Sequence, residues 1–122
     1  MFCSVYRVEK NGTGPYRRSD HGDQTEALAE MKERHNEDML NHPSPFYERC
    51  GFAKANYDED FNYFGFESID QLEAWFSVEE RIMLMLEGFE IVRHTVIRKN
   101  VFFGNKQVCF KGPVGMKQKI DW

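Results

Sequence analysis

The stretch SIDQLEAWFSVEERIMLMLEGFEIVRHTVIR, Ser68 to Arg98, carries two helix starts, one helix stop and one strand in succession. Ser68 followed by Gln71, and Ser77 followed by Glu80, have the spacing of a capping box, in which the hydroxyl takes an orphan backbone N–H and the third residue reaches back. Ile69, Leu72, Trp75 and Phe76 form the apolar stripe of the first helix; Ile82, Met85 and Leu86 are expected to face inward from the second. Met83, Leu84 and Met85 make that second helix apolar on more than one side, which burial and a homo-oligomer interface explain equally well. Gly88 marks the stop, because it tolerates the left-handed conformation that ends many helices. Phe89 to Arg98 is rich in β-branched residues and reads as a strand.

Outward from this stretch, strands lie at both ends. FCSVYRVE, Phe2 to Glu9, alternates as a strand, with Phe2, Ser4, Tyr6 and Val8 on its more apolar face. Arg7 is therefore expected to point away from the densest core, and Glu9, next to Lys10, to be a solvated edge charge. VFF (101–103), a Gly104-Asn105 turn and QVCF (107–110) read as a closing pair of short strands. Between the ends, the polar run 10–23 is a loop, and a helix starts after Asp23, with Glu26 at capping-box spacing. Leu28, Met31, His35 and Met39 mark one side of it; His35 on that stripe reads as a structural histidine. Pro43 and Pro45 end the helical region. Helices grouped between terminal strands predict an α+β fold, a small mixed or antiparallel sheet with about three helices in the middle. The 122 residues are expected to form one domain, 1–122, with 111–122 as a surface tail for which Trp122 is the one candidate anchor.

Composition excludes several classes. With 41% hydrophobic and 15% aromatic residues the chain can build a core and is not a disordered segment. A net charge of −4 gives no support for a face that clamps nucleic-acid phosphates. No apolar run approaches the ~20 residues of a membrane span, and the N-terminus lacks the basic region of a signal peptide. Cys3, Cys50 and Cys109 are odd in number and scattered, as in a reducing compartment. The expected location is the cytoplasm. The four histidines lack the spacing that would pair them on a metal, and His21 beside Asp20 and Asp23 reads as polar loop; no metal is expected.

The familiar phosphate, nucleophile-elbow and zinc motifs are absent. What remains is the relation between the two ends. Tyr6-Arg7 forms an aromatic-Arg step on the first strand. Ser68 lies in FGFESIDQ. Asn105-Lys106-Gln107 is followed by Val108-Cys109-Phe110 and then by the Gly/Pro segment at 111–113. On these residues the chain is similar in outline to the small ADP-ribosyltransferase fold, whose closing motif is Glu-x-Glu. The resemblance implies NAD or ADP-ribose as ligand, Arg7 on a pyrophosphate, and Gln107 at the position of the final glutamate. Gln107 can bind a hydroxyl but brings no charge to a developing ribosyl cation, so ligand binding is expected to survive better than transfer. Ser68 and Asn105 would line the site. Tyr6, Tyr16 or Tyr63 would offer a ring to a base, and Arg17 and Arg18 would close over phosphates. For Arg7 the alternative is a pair with Glu9.

A second resemblance covers nearly the whole chain. GPYR (14–17), HPSP (42–45), FGFESIDQLEAWF (64–76) and GNKQVCF (104–110) resemble small proteins of bacteriophage genomes. Such proteins often disarm host defences, so the expected partner is a host bacterial protein or a signalling nucleotide. The protein-binding alternative rests on YDEDFNYFGFE (57–67), where Tyr57, Asp58, Glu59, Asp60, Phe61 and Tyr63 mix acids with aromatics. That stretch reads either as a loop tucking its rings under the domain or as a recognition surface.

Overall fold

The computed structural model describes residues 1–16, 25–43, 62–111 and 116–122. Its elements run β1 (Phe2–Glu9), α1 (Glu26–Glu37), β2 (Asn62–Gly65), α2 (Ile69–Trp75), α3 (Val78–Leu86), β3 (Glu90–Ile97), β4 (Val101–Phe103), β5 (Val108–Lys111) and β6 (Lys117–Ile120). A 3-10 turn at Arg98–Asn100 carries the chain from β3 to β4. The fold is α+β, with two antiparallel three-stranded sheets in the orders β1-β3-β6 and β2-β5-β4. Phe2 pairs with Ile97 and Glu9 with Glu90 at the two ends of the β1–β3 ladder. Tyr6 and Phe66 exchange backbone hydrogen bonds of 2.8 Å and so stitch one sheet to the other.

The alternation of β1 explains the layering. Val8 on one face joins Leu28, Met31, Leu72, Phe76 and Leu84 in the helical core. Val5 on the other face packs with Val101, Val108 and Phe110 of the second sheet. Both faces of β1 are thus covered. Arg7 does point away from the helical core, yet its side chain is only 12% exposed because the second sheet lies over that face. Glu9 is buried, contrary to the edge-charge expectation, and accepts from Arg7 Nη1 at 2.9 Å and His94 Nε2 at 3.1 Å.

Local signals set the helix ends. Ser77 Oγ accepts from Glu80 N, and Glu80 Oε1 accepts from Ser77 N, a complete capping box. Ser68 Oγ caps Gln71 N at 3.0 Å, while the Gln71 side chain accepts from Glu67 N instead. Thr25 caps α1 at Leu28 N; Asp23 lies outside the described residues. At the end of α3, Gly88 has φ +92°, Phe89 N–H reaches Leu84 O at 2.9 Å and Gly88 N–H reaches Met85 O at 3.1 Å, the Schellman pairing.

Two further expectations change. Ile82, Met85 and Leu86 face outward, and the buried side of α3 is Glu80 and Leu84, with Met83 packed on the core. The helix offers apolar residues on two sides, and the buried side is the one on which Leu84 packs and Glu80 finds partners for its carboxylate. Residues 62–65 form a strand rather than part of a loop, pairing Asn62 with Lys111 and Gly65 with Val108. The tail lies at the surface, where Lys117–Ile120 is a largely exposed edge strand on β3 and the Trp122 indole N–H donates to Phe89 O at 2.9 Å. Among the described residues no helix is long and apolar enough to cross a membrane.

Candidate functional site

Lys10 and Thr13 bond each other's backbones across Asn11-Gly12. Asn11 and Gly12 both have positive φ, 52° and 80°, as a type I′ turn requires. The turn brings the chain back to place Tyr16 against α1 and α2. There the indole N–H of Trp75 donates to Tyr16 Oη at 2.6 Å, and the Tyr16 hydroxyl hydrogen-bonds His35 Nδ1. His35 Nε2 in turn meets Glu80 Oε2 at 2.8 Å. Arg34 Nη2 donates to the same oxygen at 3.2 Å. One neutral tautomer of His35 satisfies every group: Trp75 donates to Tyr16, Tyr16 to His35, His35 to Glu80.

The electrostatics agree with that direction. Burial lowers the His35 pKa, outweighing the attraction of Glu80, and the nearby His42 adds to the lowering. Burial alone would raise Glu80, but the Ser77 N–H, His35 and Arg34 together hold it below the ordinary carboxylate range. Burial pushes the Tyr16 phenol well above its usual value, so it stays protonated. His42 stacks on His35 with centroids 3.8 Å apart and planes 9° from parallel. Its Nε2–H donates to Trp75 O at 2.6 Å. The sequence spacing leaves these two histidines unpaired; the end of α1 and the turn after it bring them together. Their ring nitrogens are held by protein groups, and among the described residues no cluster could hold a metal.

Beside this network lies a cavity of about 590 Å³, framed by β1, the 12–16 turn, α1, β2, α2 and the residue preceding β5. That is within the range of small-molecule sites, ~300–1,000 Å³. Arg7, Tyr16, Tyr63 and Gln107 all line it, with Lys32 and Trp75. The two ends of the chain converge there from different sheets, not as neighbouring strands. Arg7 Nε donates to Phe64 O at 2.9 Å, and its guanidinium lies 5.1 Å from the Tyr63 ring centroid. Gln107, 5% exposed, donates from Nε2 to Pro43 O at 2.7 Å, and its backbone carbonyl closes the Gly104 turn.

The other candidates separate. Tyr6 packs against the helical core. Ser68 is spent as the cap of α2, and the Asn105 carbonyl accepts from Gln71 Nε2 at 3.3 Å; none of the three lines the cavity. Arg17, Arg18, His21, Cys50, Tyr57, Asp58, Glu59, Asp60 and Phe61 lie outside the described residues. Tyr63 turns inward and stacks on Phe110 at 5.4 Å. Lys32, His42 and Trp75 were not legible as site residues; only His35, on its apolar stripe, carried a sequence signal.

Residues 1–117 match the family described as Bacteriophage T4 Y00F protein. The chain belongs to that family. The match spans all but the last five residues, so the cavity and the α3 surface both fall within the family's domain. No curated protein and no solved structure matches the chain.

Proposed function

We propose that the cavity binds a nucleotide-class ligand, an aromatic base carrying phosphate, such as NAD, ADP-ribose or a host signalling nucleotide. One observation carries this reading: Arg7 and Gln107, a hundred positions apart, line the same cavity with Tyr16, Tyr63 and Lys32. Lys32 supplies positive charge for phosphate oxygens, while Arg7, ion-paired with Glu9 at 2.9 Å, forms part of the same wall. Tyr63 and Trp75 supply ring surface for a base. Gln107, with one N–H used on Pro43, keeps its Oε1 for a hydroxyl. In a bacteriophage family, such a site serves a small accessory protein that sequesters a host nucleotide and so acts against a host defence.

Transfer chemistry on an ADP-ribosyltransferase-like scaffold is not part of this proposal. Gln107 carries no charge to oppose a ribosyl cation, and its amide is committed to the wall of the site. The test is a thermal-shift and calorimetric titration with NAD, ADP-ribose and cyclic nucleotides. Ligand at 100 times its Kd is expected to add ~2.7 kcal/mol, and Lys32→Gln or Tyr63→Leu to weaken binding. Absence of stabilisation by all of these at millimolar concentration would falsify the reading.

A further inference from the structure

The outward side of α3 carries Val78, Ile82, Met85 and Leu86 at 57, 50, 48 and 78% exposure. Their spacing places them on one helix face, opposite Leu84 and Glu80. Four large apolar side chains in a row on a helix of nine residues are not the scattered exposure of an ordinary surface. A groove of about 420 Å³ runs beside this ridge between α1 and α3, lined by Ala27, Glu30, Arg34, Glu79 and Met83 among others. Glu30 and Glu79 are exposed on its walls. Of the charged groups lining the groove, Arg34 is paired with Glu80 at 3.2 Å, which leaves the carboxylates of Glu30 and Glu79 in excess. Arg81 is already paired with Glu73 at 3.1 Å.

We infer that this ridge and groove form a docking site for a basic amphipathic segment of another protein. Such a segment would lay apolar residues over Ile82 and Leu86 and reach its cations to Glu79 and Glu30. Charge decides among the possible occupants. A second copy would press the same carboxylate-rich surface against itself, a juxtaposition that costs free energy. An anionic membrane would be repelled by it. The site is separate from the nucleotide cavity, which none of the four ridge residues lines, and the inference does not depend on that reading.

The test uses the whole chain and a synthetic Lys/Leu amphipathic helical peptide, followed by fluorescence anisotropy at low and high salt. Binding is expected to be salt-sensitive, and Ile82→Ser with Leu86→Ser to weaken it at least about tenfold. Because both side chains are exposed, the double variant keeps its fold, which circular dichroism checks. Glu79→Gln with Glu30→Gln is expected to flatten the salt dependence. The inference is overturned if a scrambled peptide or a Glu/Leu peptide binds as well, or if the double variant binds unchanged. It is equally overturned if sedimentation shows a dimer that Ile82→Ser dissociates, or if phosphatidylglycerol vesicles bind through this face.

Discussion

His35 of α1 and Glu80 of α3 meet at 2.8 Å across 45 positions of sequence. That bond lets Glu80 lie on the buried side of α3 together with Leu84. A carboxylate is expensive to bury unless its oxygens are occupied, and Glu80 gathers Ser77 N–H, His35 and Arg34 around it. The apolar residues on the far side of the helix are left facing out.

A pH dependence follows from the same pair. Folded His35 has a lowered pKa, so as pH drops below about 6.5 the unfolded chain takes up a proton that the folded one refuses. Stability is therefore expected to decline from that point downward. Glu80 and Glu9, both lowered in the fold, contribute stability above the ordinary carboxylate range that is lost as pH falls through their folded values. Urea titrations across this range check it. His35→Gln should remove the upper part of the decline and shrink the share of the lower part that Glu80 contributes, leaving that of Glu9.

Gly65 sits where β2 crosses β1. A Cβ there would lie 2.7 Å from Tyr6 O and 2.7 Å from Val5 Cγ1. Because backbone is the obstacle, the sheets must part. Gly65→Ala is expected to cost about 1–3 kcal/mol in chemical denaturation, and to loosen the cavity wall that β2 forms.

Ser68 distinguishes a cap from a ligand residue. Ser68→Ala is expected to lower stability by ~1 kcal/mol and to leave nucleotide affinity unchanged in calorimetry. A loss of affinity without a loss of stability would return Ser68 to the site.

Gln107→Glu restores the charge of the transferase motif and should still fail. The Nε2–H donated to Pro43 O would be replaced by a carboxylate oxygen facing a carbonyl. A destabilisation of about 1–3 kcal/mol is expected from the lost bond and the buried acceptor, with no transferase activity gained in an NAD turnover assay.

Glu9→Gln tests the buried triad with Arg7 and His94. Removing the charge between two donors takes the carboxylate away from the Arg7 guanidinium, whose side chain is only 12% exposed. The expected cost is about 3–5 kcal/mol, measured by denaturant midpoint.

Much of the fold was legible in residues close together in sequence. Ser77 with Glu80 announced α3, Gly88 its end, and the alternation of Phe2 to Glu9 the first strand, because caps, left-handed turns and pleats are made by groups a few positions apart. The candidate site was legible only in part. Arg7 and Gln107 were singled out and do share a cavity, yet His42, Lys32 and Trp75 gave no signal, since their roles come from stacking and hydrogen bonds to distant elements. Glu9, read as an edge charge beside Lys10, proved buried because the second sheet covers a face of β1 that the strand's own pattern could not show to be covered.

Local chemistry alone therefore determined where helices and strands begin and end, and that helices sit between strands. Tertiary packing decided which side of α3 is hidden, that His35 stacks on His42, and that both chain ends reach one cavity. The division is physical: caps and turns close within a few residues, whereas the neutralisation of Glu80 and the covering of β1 need partners that only the folded chain brings near.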